Sequence, residues 1–109
     1  MFLIRMGVPE MEEFWDMLEK KVEEESATRD ENKLYKKIGK TLHLLSMNPR
    51  YPGLNSHEIS SLTSRYGRKV WESYLENRTP AEGRIFWTYG PGQGEITVVA
   101  IIFPFSNIT

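Results

Sequence analysis

The sequence predicts an α+β fold: an antiparallel sheet of three to five strands with an N-terminal helical hairpin packed on one face. Three observations lead there. Between residues 9 and 47 apolar side chains recur at three- and four-residue spacing, the period of two amphipathic helices. From residue 48 onward that period disappears, and short runs rich in β-branched and aromatic residues replace it. Helices that precede a run of strands, rather than alternating with them, segregate to one face of an antiparallel sheet.

Taken in order, Phe2–Arg5 is short and apolar and reads as an edge strand. Pro9 suits a first helical position, and Glu10, Glu12 and Glu13 suit the positive end of a helix dipole. Met11, Phe14, Trp15, Leu18 and Val22 then form an inward stripe over a first helix, Pro9–Glu25, which Ser26-Ala27 ends. Thr28 and Glu31 form a capping-box pair that opens a second helix. Its stripe is Leu34, Ile38, Leu42 and Leu45; it runs to about Met47, and Pro49 and Pro52 stop it. A short link makes the two helices an antiparallel hairpin.

Asn48–Gly53 is a turn cluster. His57–Leu62 and Lys69–Leu75 read as strands, the second on the β propensity of Val70, Trp71 and Tyr74, and Asn77–Gly83 as a polar loop. Arg84–Tyr89 and Glu95–Phe103 flank the Gly/Pro-rich Gly90–Gly94, the pattern of a β-hairpin. The last run is apolar on both faces, with Ile96, Val98, Ala100 and Ile102 pointing one way and Val99 and Ile101 the other. Such a strand belongs inside a covered sheet.

Composition narrows the function classes. At 109 residues the chain reads as one domain over residues 1–109. With no cysteine it offers no disulfide, thiolate metal site or cysteine nucleophile, and two histidines, His43 and His57, are too few for a histidine-rich metal site. No cofactor signature is present. The start lacks the pattern of a signal peptide, and no run approaches the length of a membrane span, so a cytoplasmic location without membrane partners is the expectation. The sequons at Asn77 and Asn107 then read as chance matches. The net charge of −1 is unevenly laid out: residues 9–31 carry ten acids against three bases, whereas residues 32–56 carry five bases and no acid. A nucleic acid would therefore approach the second helix and avoid the first.

Four stretches carry a resemblance: Leu-Leu-Ser-Met-Asn-Pro-Arg-Tyr-Pro-Gly-Leu (44–54), Tyr-Gly-Arg-Lys-Val-Trp-Glu-Ser-Tyr (66–74), Gly-Arg-Ile-Phe-Trp (83–87) and Gly-Glu-Ile-Thr-Val-Val-Ala-Ile-Ile (94–102). In this order behind a helical hairpin they resemble the RelE/ParE superfamily of toxins from bacterial type II toxin–antitoxin systems, over roughly residues 28–103. The resemblance implies a small sheet under a helical hairpin and a cognate antitoxin as partner. In the nuclease branch it further implies entry into the ribosomal A site and cleavage of mRNA. The family's phosphate-holding arginine at the start of the hairpin matches Arg84, and an acid used as general base falls near Glu58. The basic positions of the preceding strand fall on Glu72 and Tyr74. The C-terminal basic or histidine residue followed by tyrosine is missing from Phe103–Thr109.

Cleaving RNA through its 2′-hydroxyl needs a base, a cation for the phosphorane and an acid for the leaving oxygen. Arg84 supplies the cation, Glu58 or His57 the base, and Tyr74 (or Tyr66 or Tyr89) is the available acid. Lys33, Lys37 and Lys40 on the outer face of the second helix, with Arg50, Arg65, Arg68 and Lys69, are the candidate RNA contacts. Each has a plainer reading. Arg84 can be an ion-pair partner of Glu72 or Glu95, the lysines a solvated face, His57 with Glu58 a surface pair, His43 a half-buried helix residue, and Trp71, Trp87, Tyr74 and Phe86 core. The competing functional class is a catalytically degenerate or ParE-like module that binds a partner protein. The apolar last strand with Phe103 and Phe105 would then be covered by that partner. A third is an orphan interaction module.

Overall fold

The computed structural model describes residues 1–76 and 79–103, with the backbone only for 79–82. The chain runs β1 (Leu3–Met6), α1 (Pro9–Glu23), α2 (Arg29–Met47), a single 3₁₀ turn (Pro52–Leu54), β2 (His57–Glu58), α3 (Ser60–Tyr66), β3 (Trp71–Glu76), β4 (Thr79–Tyr89) and β5 (Glu95–Ile102). The five strands form one mixed sheet in the order β1-β5-β4-β3-β2. Its β5-β4-β3-β2 part is antiparallel, and β1 joins β5 in parallel register, Leu3 opposite Glu95 and Met6 opposite Val98. A parallel neighbour needs a crossover, and the α1–α2 hairpin lies within the chain that returns from β1 to β5.

The helices start where their capping chemistry dictates. Thr28 Oγ1 accepts from the Glu31 backbone N–H at 3.1 Å while Glu31 Oε1 accepts from the Thr28 N–H at 2.9 Å, satisfying two donors that the first turn leaves without partners. The other carboxylate oxygen of Glu31 meets Lys21 Nζ at 2.8 Å, tying the start of α2 to the end of α1. Trp15 stacks on Tyr35 at 5.1 Å, and a Cβ on Gly39 would sit 3.8 Å from Trp15. Contacts that fall in α1 as they rise in α2 make the pair antiparallel. Leu18, Leu34, Ile38 and Leu45 from this hairpin pack on Ile85, Trp87, Ile96, Val98 and Ile101 of the sheet, all essentially buried. Full burial of each aliphatic side chain contributes about 1.5–3 kcal/mol, so this layer is what holds the helices to the strands.

A buried hydrogen-bond chain anchors the turn after α2. Ser56 Oγ donates to the Pro49 carbonyl at 2.8 Å, so the 2.7 Å bond between Ser56 and Ser73 has Ser73 as donor. Trp87 Nε1–H in turn donates to Ser73 Oγ at 2.8 Å. The indole of the central strand is thereby joined to the chain leaving α2.

Several expectations are corrected. His57–Leu62 is not one strand: β2 is two residues long and α3 follows, ending at Gly67, whose φ of +73° is a left-handed cap. The Thr63 hydroxyl of α3 accepts from the Val70 N–H at 3.0 Å, bonding the helix to the chain just before β3. The stretch Asn77–Gly83 is not all loop, since β4 begins at Thr79. Gly83 lies within that strand at φ +123°, where a Cβ would collide with Leu75. The two faces of β5 also differ from simple alternation. A bulge at Val99 of β5, facing the Phe86–Trp87 step of β4, offsets the register, so that Ile96, Val98 and Ile101 all reach the core while Ala100 and Ile102 take the other face. His43 is exposed rather than half-buried. Phe103 stacks on Phe14 of α1 at 5.4 Å and is no open strand end; Phe105 and the two sequon asparagines lie outside the described residues.

Candidate functional site

Cross-strand partners share a face of a sheet, so register decides which side chains can meet. His57 lies opposite Glu72, Glu72 opposite Phe86, and Tyr74 opposite Arg84. These five side chains therefore gather on the face turned away from the α1–α2 hairpin. At the centre is Glu72, a carboxylate 7% exposed with a nitrogen on each oxygen: His57 Nε2 stands 3.0 Å from Oε1 and Arg84 Nη1 donates to Oε2 at 3.1 Å. Both side chains keep water contact, His57 at 45% and Arg84 at 36% exposure. The His57 ring is also held from behind, Nδ1 lying 2.7 Å from the Asn55 carbonyl, and Asn55 takes a left-handed φ of +50° to present it. Tyr74 meets the imidazole edge-on at 5.8 Å, and the Arg84 guanidinium lies 5.6 Å over the Phe86 ring.

Of the expected catalytic residues, the fold thus assembles Arg84, His57 and Tyr74 and separates Glu58. Adjacent residues of a strand point to opposite faces, and Glu58, opposite Trp71, faces away from Arg84. Tyr89 is drawn into the helix-side aromatic group, 5.0 Å from Trp87, and Tyr66 ends α3 in solvent. Arg84 does form an ion pair, with Glu72 and not with Glu95, which instead meets Arg5 at 3.4 Å. Glu72 is the member that sequence reasoning undervalued. It was expected as one of two candidate ion-pair partners of Arg84, but its position between Arg84 and His57 depends on the β2–β3–β4 register.

The expected RNA contacts are spread over several elements. Lys33 and Lys40 are exposed on α2; Lys37 pairs with Glu76 of β3 at 2.8 Å. Arg50 lies 4.8 Å over the Trp71 ring, itself stacked on Trp87 at 5.8 Å, and Arg68 reaches the Gly90 turn. Arg65 and Lys69 are exposed at the end of α3 and just after it. An open groove of about 440 Å³ lies between α2, the 3₁₀ turn and β3. Among the described residues no three carboxylate or histidine side chains converge as a metal would require, and no helix is long and apolar enough to cross a membrane. No family model, curated protein or solved structure matches the chain.

Proposed function

We propose that this chain is the toxin of a bacterial type II toxin–antitoxin pair, acting as a ribosome-dependent mRNA endonuclease through the His57–Glu72–Arg84–Tyr74 cluster. The observation that carries the reading is that a partly exposed guanidinium, a partly exposed imidazole and a phenol gather around one buried carboxylate. The resemblance supplies the substrate class; the cluster supplies groups able to act on it. Arg84 would meet the non-bridging oxygens of the scissile phosphate and take up the phosphorane charge. As the 2′-oxygen bonds to phosphorus the 5′-oxygen leaves, so one proton must be removed and one delivered. His57 and Tyr74 are the side chains placed to move them, and Glu72 fixes the orientation of both His57 and Arg84. The proposed partners are the cognate antitoxin and the ribosome with its mRNA.

A protein-binding reading has one observation of its own. Glu72 already compensates Arg84, while apolar side chains stand exposed at both ends of β5, Leu3 (61%) opposite Glu95 at its start and Ile102 (46%) at its end. Induced expression in a bacterial host, with growth followed and mRNA ends mapped by primer extension, separates the two. The nuclease reading expects growth arrest and new mRNA ends, both abolished by Arg84→Ala and His57→Ala and both retained by Glu58→Ala. Arrest without new ends that survives Arg84→Ala moves the assignment to a protein target, and absence of arrest removes the toxin reading.

A further inference from the structure

The groove between α2 and β3 borders the sheet-face cluster at Tyr74, which also lines it, but has a character of its own. Its rim carries Lys36, Lys37 and Lys40, and its floor is aliphatic, with Leu44 beside the buried Leu54 and Leu75. Glu76 also lines it, and this carboxylate would repel an anion if left alone. It is not left alone: Lys37 Nζ holds it at 2.8 Å. Lys36 and Lys40, four residues apart on one helix, project from the same side at successive turns, and among the described residues neither has an ion-pair partner. Among the described residues, Lys36 and Lys40 thus leave two uncompensated positive charges above an apolar floor. The volume of about 440 Å³ lies within the range of small-molecule sites.

From this arrangement we infer that the groove binds a small organophosphate. The dianionic phosphomonoester head sits between Lys36 and Lys40, and an apolar or aromatic body no larger than a mononucleoside lies on Leu44, Leu54 and Leu75. A phosphate dianion matches the two free charges, whereas a carboxylate would compensate only one. The floor gives the body somewhere to shed water, which inorganic phosphate cannot exploit. The phosphate contacts are Lys36 and Lys40 of α2, not Arg84 or His57; Tyr74 is shared with the proposed nuclease cluster, so the readout at residues 36–44 is what separates the two.

The test is titration of the full chain, followed by amide chemical shifts, with four probes: inorganic phosphate, adenosine 5′-monophosphate, hexyl phosphate and adenosine. The two organophosphates should bind more tightly than inorganic phosphate or adenosine. They should move the resonances of residues 36–44 and 74–76, and weaken as salt rises. Binding of both marks the head as the common element; preference for one identifies the body. The double variant Lys36→Ala/Lys40→Ala, two exposed changes that should leave the unliganded spectrum in place, is expected to lose about tenfold or more in affinity, since it removes both charge-assisted contacts. The inference is overturned if no organophosphate shifts these residues, if adenosine shifts them equally, if the double variant binds like the wild type, or if the shifts centre on His57 and Arg84.

Discussion

Replacing Glu72 by glutamine tests whether one buried carboxylate organises the sheet face. The side chain is 7% exposed and spends one oxygen on His57 and the other on Arg84, at 3.0 and 3.1 Å. Glutamine keeps one accepting oxygen but carries no charge and turns an NH₂ toward the other partner, so one of the two bonds is lost and the one that remains is weakened. A hydrogen bond to a charged group contributes about 1.5–3 kcal/mol when buried. Because His57 and Arg84 are 45% and 36% exposed, water takes over part of that role, and the expected loss falls to about 1–2 kcal/mol. For a chain of this size that lowers Tm by roughly 5–10 °C. Urea unfolding followed by tryptophan fluorescence measures it, and a double-mutant cycle with Arg84→Met isolates the Glu72–Arg84 contribution. A variant within about 0.3 kcal/mol of wild type, together with a coupling energy of zero, would refute the view that this carboxylate holds the cluster.

Two further outcomes bear on how the fold is held. Ser73→Ala leaves the buried Trp87 Nε1–H without an acceptor and breaks the chain to the Pro49 carbonyl, with an expected cost of about 1–3 kcal/mol by urea denaturation; if Trp87→Phe in the same background recovers none of it, the hydrogen-bond account fails. For Glu31, the hydrogen bond from Lys21, followed by that from the Thr28 backbone N–H, holds the carboxyl below its usual range. A folded value below the unfolded one adds stability that is complete above the unfolded value of about 4.3 and is lost as pH falls through the folded value. The stability gap between wild type and Glu31→Gln should therefore be constant near neutral pH and shrink below about pH 4; a gap that widens on acidification would contradict the assignment.

Local chemistry was legible wherever it was decided within a few residues. The capping box of α2, the apolar stripes of both helices and the Gly/Pro turn before β5 all rest on interactions spanning one turn, and all appear at the expected places. The short helix α3 was missed because only Leu62 marked an apolar stripe, and the stop signal at Gly67 was the available clue. The start of β4 at Thr79 was hidden by a polar composition that pairing with β3 overrides.

What the sequence by itself determined is the helical hairpin, the class of the fold and the identity of Arg84 and His57 as side chains able to handle charge and protons. These follow from periodicity and from functional groups, which a chain carries wherever it folds. Only the tertiary structure decided that Glu72 stands between those two side chains, that Glu58 faces away, and that Ile101 joins Val98 in the core. Each depends on strand register and on a single bulge, and a shift of one residue in register sends every side chain of a strand to the opposite face.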